Sequence, residues 1–347
     1  MPNKNKNISL PSEFELIQKI EDLLSDSDPD VILGVGDDAA VVKPRLGLQT
    51  VLTTDTFVEG VDFNVNFSSW WQIGWKCMAA NFSDIAAMGG SPRHTLVTLC
   101  LPVHRIYKEI EDLYQGFHNL ANRLGLSLSL VGGDLSSIDG PSVISIALIG
   151  EIDGENIIKR SGAKIGDVLC VTGHVGGSQA GLHLIKKAQD QPALERILDK
   201  FEETLTRHRT PLPRIREGLL MSRTGWVHAM IDVSDGISSD ALHICRNSKV
   251  GLHLDVTALP IADETKLALE QLGLDPIETA LESGEEFELL CTVDPENLAS
   301  LVDLVGTETG TLLTPIGEIT PQDQGYKITD QTGTYSLLPK GYEHFRS

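Results

Sequence analysis

Short β-rich runs alternate with stretches of helical spacing from Val31 to Leu338, and this interleaving constrains the fold more than any other feature. A first helix is predicted after Pro11, with a capping box of Ser12 and Glu15, and a buried face of Phe14, Ile17, Ile20, Leu23 and Leu24. Strands are predicted over 31–35, 39–42 and 50–54. A long, mostly buried helix over 71–88 follows, stopped by Gly89-Gly90-Ser91-Pro92. Then come a strand over 94–101, a helix over 106–124, and strands over 126–131 and 142–149. The second half reads as strand 168–172, helices 178–188, 193–205 and 214–221, strand 227–233 and helix 237–247, with further alternation beyond. Such interleaving implies an α+β or ferredoxin-like sheet rather than a bundle in the first half, and a second α/β unit after it.

At about 150 residues per domain, 347 residues suggest two domains. Asp153-Gly154-Glu155-Asn156 interrupts the pattern, so the expected division is a tail over 1–11, an α+β domain over 12–152 and an α/β domain over 153–347. With 28 basic and 49 acidic side chains the net charge is −21, which argues against a nucleic-acid footprint and against anchoring on an anionic membrane. Cys77, Cys100, Cys170, Cys245 and Cys291 form no CxxC pair, so neither a disulfide framework nor a zinc knuckle is indicated, and a reducing cytoplasm is expected. No secretory leader and no membrane-spanning run is read from the sequence.

Six segments place Asp where an apolar run meets a Gly- or Ser-rich element. They are Gly34-Val-Gly-Asp37-Asp38, Thr53-Thr54-Asp55, Asn81-Phe-Ser83-Asp84, Gly132-Gly133-Asp134, Asp232-Val-Ser234-Asp235-Gly236, and Asp240 one turn later. Each alone reads equally as a turn or a helix cap. Together they point to a divalent-metal and phosphate site, because Mg²⁺ takes hard oxygen ligands and bridges to phosphates, while neighbouring glycines let backbone N–H groups approach an anion.

Other patterns are weaker. Gly173-His-Val-Gly176-Gly177-Ser-Gln-Ala-Gly181 reads either as a phosphate loop or as close strand–helix packing, and Arg160-Ser-Gly-Ala-Lys164 either as a cationic contact for phosphate or as surface charge. Trp70, Trp71, Trp75 and Met78 read as core. Tyr114 reads as an adenine stacker or a core aromatic. No Walker A loop, kinase HRD or DFG set, HExxH pattern or GxSxG elbow is present.

The ordered set GVGDDAAVV (34–42), TTDTFVEGVDF (53–63), KCMAANFSDIAAMGGSP (76–92), GGDL (132–135), KRSGAKIGD (159–167), IDVSDGISSD (231–240), SGEEFELL (283–290) and KGYEHF (340–345) resembles the thiamine-monophosphate kinase family, within the aminoimidazole-ribonucleotide-synthetase-like superfamily. The resemblance covers residues 12–345. It implies a two-domain fold, with an N-terminal ferredoxin-like α+β domain that dimerises through its sheet and a C-terminal α/β domain. It also implies ATP as co-substrate, several Mg²⁺ ions, and direct transfer of the γ-phosphoryl group to thiamine monophosphate in the cytoplasm. Carried over by position, it implies metal ligands at Asp38, Thr53, Thr54, Asp55, Asp84, Asp134, Asp232 and Asp235. Nucleotide contacts fall at Gly133, Asp134, Arg160 and Ser234, and substrate contacts at Asp62, Glu285 and Tyr342. Two departures stand out: Asp62 replaces the family's usual His, and SGEEFEL replaces GGEDYEL.

Phosphoryl transfer between two anions asks for alignment and charge neutralisation rather than a nucleophile, and no nucleophile is evident. Asp55, Asp84 and Asp134 are therefore expected to do the central work. Two competing readings are another ATP-using synthetase of the same superfamily and a catalytically silent ATP/Mg²⁺-binding subunit.

Overall fold

The computed structural model describes residues 11–23, 28–36, 38–191, 198–338 and 340–341. The chain divides into two compact units: residues 1–82 with 92–152, and residues 83–91 with 153–347. The segment 83–91, read from sequence with the first half, thus groups with the second unit.

In the first unit, α1 (Glu13–Leu23) opens as expected: the Glu15 carboxylate accepts from the backbone N–H and the hydroxyl of Ser12 at 3.1 and 2.9 Å. Strands β1 (Val31–Leu33) and β2 (Val41–Val42) form a small antiparallel pair. The main sheet has β3 (Leu48–Val58), β4 (Ser91–Leu101), β5 (Ser129–Ser137) and β6 (Val143–Asp153), in the order β3-β6-β4-β5, so β3 and β5 are its two edges. Between strands run α2 (Trp70–Ala87) and α3 (Tyr107–Arg123). A reciprocal pair of bonds between Ser69 and Gln72 caps α2.

One face of the sheet is dry. Ile144, Ile146, Leu148, Val97 and Leu99 are at most 1% exposed, as are Met78, Phe82 and Leu113 on the helices. Trp70 and Trp75 join this core, as the sequence suggests. The alternate residues Val143, Ser145, Ala147 and Ile149 stay half-buried on the other face, and Leu52 is 72% exposed on the same side of β3 as Thr56, whose hydroxyl meets that of Ser145 at 3.0 Å.

Two glycines let α2 and α3 cross backbone against backbone. A Cβ at Gly74 would stand 2.0 Å from the Leu113 carbonyl oxygen, and one at Gly116 2.2 Å from that of Trp71.

The second unit is built on a seven-stranded sheet. Its strands are β7 (Val168–Thr172), β8 (Val227–Asp232), β9 (Gly251–Asp255), β10 (Leu289–Val293), β11 (Leu313–Thr320), β12 (Tyr326–Thr329) and β13 (Thr334–Ser336), in the order β13-β12-β9-β11-β7-β10-β8. Its helices are α4 (Gly177–Asp190), α5 (Glu202–Arg209), α6 (Ile215–Ser222), α7 (Ile237–Ser248), α8 (Asp263–Leu272), α9 (Pro276–Glu282) and α10 (Leu298–Thr309). The helix expected over 193–205 falls partly outside the described residues, and its last part begins only at Glu202, after Phe201. Ala229 and Ile231 of β8 pack with Ile237, Ala241, Leu242, Ile244 and Cys245 of α7 in one apolar cluster.

Because backbone atoms, rather than side chains, face the Gly116 position, an added methyl has nowhere to go. Gly116→Ala is expected to cost about 1–3 kcal/mol, read as a lowered urea midpoint.

Candidate functional site

The acidic turn after β8 is held by one carboxylate. Asp240, on the first turns of α7, is 1% exposed, and its Oδ2 accepts the backbone N–H groups of Ser234, Asp235 and Gly236 at 3.2, 3.2 and 3.1 Å. Gly236 has φ +110°, and a Cβ there would press on the Leu281 carbonyl at 2.9 Å, so only glycine turns this corner. Burial pushes the Asp240 pKa up, and the charges of Asp232 and Asp235 push it further, against the opposing backbone hydrogen bonds. Asp232 is buried; Ser234 and Asp235 are half-buried.

Two more segments close on this turn. The loop before β10 lies on it backbone to backbone: Glu285 N–H donates to Ser234 at 2.8 Å, Glu286 and Phe287 donate to Val233 at 3.2 and 3.0 Å, and Val233 donates to Glu288 at 2.8 Å. A Cβ at Gly284 would stand 2.6 Å from the Ser234 oxygen. Glu285 and Phe287 both sit in the left-handed region, φ +56° and +52°, a conformation that costs an L-residue roughly 1–2 kcal/mol. Lys340 and Gly341 also lie against the turn. Ser238 Oγ donates to the Lys340 carbonyl at 2.5 Å, and a Cβ on Gly341 would meet the Asp235 oxygen at 2.4 Å. Asp232, Ser234, Asp235 and Glu285 therefore share one place. Tyr342, expected there, lies outside the described residues, as do His344 and Phe345.

The SGEEFEL departure is absorbed by the interior. Glu286 Oε1 accepts from Ser283 Oγ at 2.5 Å and from the Ser178 N–H at 3.1 Å, while its Oε2 is buried with no partner among the described residues. Burial raises the Glu286 pKa to about 7. Phe287 is 4% exposed, so the missing hydroxyl removes a polar atom from a dry position. Glu288 anchors the loop's far end: Arg214 grips both its oxygens at 2.6 Å, Arg207 reaches it at 3.3 Å and Thr172 at 2.7 Å.

The first-unit residues are arranged differently from the strand-end junctions expected. Thr53, Thr54 and Asp55 lie inside β3, and Gly132, Gly133 and Asp134 inside β5. Both are edge strands, where polar residues and glycines cost least. Gly133 is required because a Cβ would stand 2.0 Å from the Val97 oxygen. Being opposite edges, β3 and β5 are three strand spacings apart, about 14 Å, so one sheet does not bring Asp55 and Asp134 to a common ion. Asp38 lies exposed in a bend, while Asp37 is outside the described residues. Asp84, in the segment that groups with the second unit, is half-buried in the last turn of α2. Asp62 Oδ2 accepts the Val58 N–H at 2.8 Å and so fixes its own turn. Among the described residues, no group of three or more His, Cys, Asp or Glu is gathered so as to hold a metal ion.

Tyr114 is corrected: it is 2% exposed, meets Phe117 edge-on at 5.2 Å, and offers no face to a base. The Gly-rich loop before α4 resolves to packing. A Cβ at Gly173 would strike the Glu288 carboxylate at 2.1 Å, one at Gly177 the Arg207 side chain at 2.4 Å, and one at Gly181 the Thr204 oxygen at 2.7 Å. Arg160 is exposed, on a segment tied down by Met230 N–H to Lys159 O at 2.9 Å and by Gly162 and Ala163 N–H to Ser248 Oγ at 3.1 Å. Sequence reading missed Glu288 with its two arginines and the chain Asp167–His228–Lys164, with contacts of 2.9 and 2.8 Å. No spacing marks these, because Arg207, Arg214 and Thr172 are far in sequence from Glu288, as His228 is from Lys164 and Asp167.

Two family models match the chain: the AIR synthase related protein N-terminal domain over residues 36–152 and the corresponding C-terminal domain over 164–329. The thiamine-monophosphate kinase of Bacillus subtilis (strain 168) is 36% identical, over 96% of this chain and 99% of that protein. The crystal structure of thiamine-monophosphate kinase from Stenotrophomonas maltophilia K279a superposes with a TM-score of 0.78 at 34% identity, covering 92% of this chain and 97% of the other. A structure of AaThiL complexed with AMPPCP and TMP gives a TM-score of 0.74 at 30% identity, covering 99% of this chain and 100% of the other.

The Glu286 carboxyl has a pH signature. Its folded pKa is raised above the unfolded value, so its ionisation opposes folding as pH rises from the ordinary carboxylate range to about 7. Glu286→Gln removes that cost. The variant is expected to match the parent near pH 4 and to exceed it by up to about 3 kcal/mol at pH 8, read by urea unfolding at both values.

Proposed function

The chain belongs to the thiamine-monophosphate kinase family of AIR synthase related proteins, and on that footing we propose that it phosphorylates thiamine monophosphate from ATP, giving thiamine diphosphate and ADP. The observation that carries this reading is the convergence on one turn of Asp232, Ser234 and Asp235 with Glu285, held in a strained left-handed backbone. Strain of this kind persists where the surrounding structure over-determines a side chain's direction, which suits a residue that meets a substrate.

Division of labour follows from the chemistry of each group. Arg160 and the backbone at Gly133 and Ser234 would receive the nucleotide. Glu285 and Asp62 each offer a carboxylate that would suit the cationic thiazolium, and the resemblance assigns Tyr342 to the same substrate. Asp38, Thr53, Thr54, Asp55, Asp84, Asp134, Asp232 and Asp235 offer only hard oxygen donors, with no thiol or imidazole among them, a set that fits Mg²⁺. Asp240 supports that fit, since like charges at Asp232 and Asp235 are crowded beside it and a divalent cation would relieve them. When bound, Mg²⁺ supplies the positive charge that lets two anionic phosphates approach in line.

We further propose a homodimer formed through the first unit. We infer that two copies pair through the open sheet face bearing Leu52, Ser145 and Ala147. Edge β3 of one copy would then stand beside edge β5 of the other, uniting Asp55 and Asp134 across about 14 Å that a single sheet leaves between them.

Incubation with ATP, Mg²⁺ and thiamine monophosphate is expected to give thiamine diphosphate and ADP in equal amounts. Bound but unchanged ATP would instead support a silent subunit. Asp84→Asn is expected to lower turnover at least about a hundredfold with the melting temperature unchanged. Near-normal activity at low Mg²⁺ in that variant would count against the assignment. Leu52→Glu is expected to sediment as a monomer and to lose turnover with it.

A further inference from the structure

In a chain of net charge −21, three basic side chains gather with no ion pair among the described residues. Arg160 leaves its guanidinium without an ion pair or hydrogen bond among the described residues, and so does Arg246. Both act electrostatically on His243, half-buried on α7, whose ring nitrogens make no hydrogen bond among the described residues. Burial first, then the charges of Arg160 and Arg246, push the imidazole pKa down, while Asp235 acts in the opposite sense.

The backbone explains why these groups meet. Ser239, His243 and Arg246 recur at helical spacing on the side of α7 turned away from the apolar cluster. At the N-terminal end of that side, Gly341 lies against Ser239 and Asp235. At its C-terminal end, the segment carrying Arg160 is pinned by the two N–H bonds to Ser248 Oγ. The result is a strip along α7 with Asp235 and Ser234 at one end and Arg160 and Arg246 at the other. Arg246 alone would be explained by its place in the last turn of the helix, where a cation opposes the macrodipole. Neither Arg160 nor His243 has such an explanation.

We propose that His243 is a further nucleotide-binding residue, which with Arg160 clasps the polyphosphate of ATP along α7, flanked by Arg246. This rests on the kinase reading above. A neutral imidazole can donate one N–H to a phosphate oxygen, and the two guanidiniums supply charge-assisted bonds on either side. The arrangement gives a protein short of cations a local positive strip where a polyanion must lie.

Calorimetric titration with MgATP and with AMP separates the outcomes. His243→Ala is expected to weaken MgATP about tenfold and AMP less than about twofold, and Arg246→Ala to weaken MgATP about threefold. His243→Asn, which keeps an N–H donor, should recover part of the loss. The KM for thiamine monophosphate and the melting temperature should stay unchanged, which a merely structural role would not allow. Parental MgATP affinity in His243→Ala, with the loss confined to Arg160→Ala, would overturn the proposal and leave the kinase reading standing. Equal losses for MgATP and AMP, or a rise only in the KM for thiamine monophosphate, would also overturn it. Parental protein that binds MgATP but forms no thiamine diphosphate would instead defeat the kinase reading.

Discussion

The carboxylate of Asp240 is the interaction on which the second unit's site depends. By accepting three successive backbone N–H groups it holds the turn 234–236 in one shape, and that shape presents the carbonyl groups of Val233 and Ser234 to the loop at 284–287. The same turn receives Gly341. Asp232 and Asp235 are crowded beside a third carboxylate, which stability alone would not favour. The arrangement is intelligible as a place prepared for positive charge.

Behind this turn the unit carries buried acids in two different ways. Glu288 is neutralised: a bidentate Arg214, a second arginine and a threonine hydroxyl satisfy it. Glu286, two residues earlier, is left with one oxygen unpartnered, and burial raises its pKa. Together they tether both sides of Phe287, so the left-handed residues at 285 and 287 cannot relax. The serine at 283 and the glutamate at 286 depart from the family pattern as a pair and hydrogen-bond to each other, which accounts for a double change that sequence alone leaves unmatched.

How much could be read without coordinates differs by element. The long helix over 71–88 was legible because its apolar residues are continuous and Gly89-Gly90 stops it; α2 runs Trp70–Ala87. The Gly-rich loop at 173–177 was not, since a glycine needed for phosphate and a glycine needed for an arginine's packing look alike in sequence. Asp55 and Asp134 looked like strand-end acids because strand limits are invisible where an edge strand tolerates Gly and Asp. Tyr114 lies on a helix face whose burial depended on partners elsewhere in the chain. His243 lay outside every recognised motif, three residues past Asp240, and only its meeting with Arg160, 83 residues away in sequence, gives it a role.

By itself the sequence determined the family, the hard-oxygen character of the acidic motifs and the succession of strands and helices, because these rest on residue type and local period. Tertiary structure alone decided which acids meet. The order β3-β6-β4-β5 sets Asp55 and Asp134 at opposite edges, while backbone docking brings Glu285 onto the turn of Ser234 and Asp235. Strand order and loop docking are set by contacts between residues far apart in the chain, and no local pattern encodes a distance across a sheet.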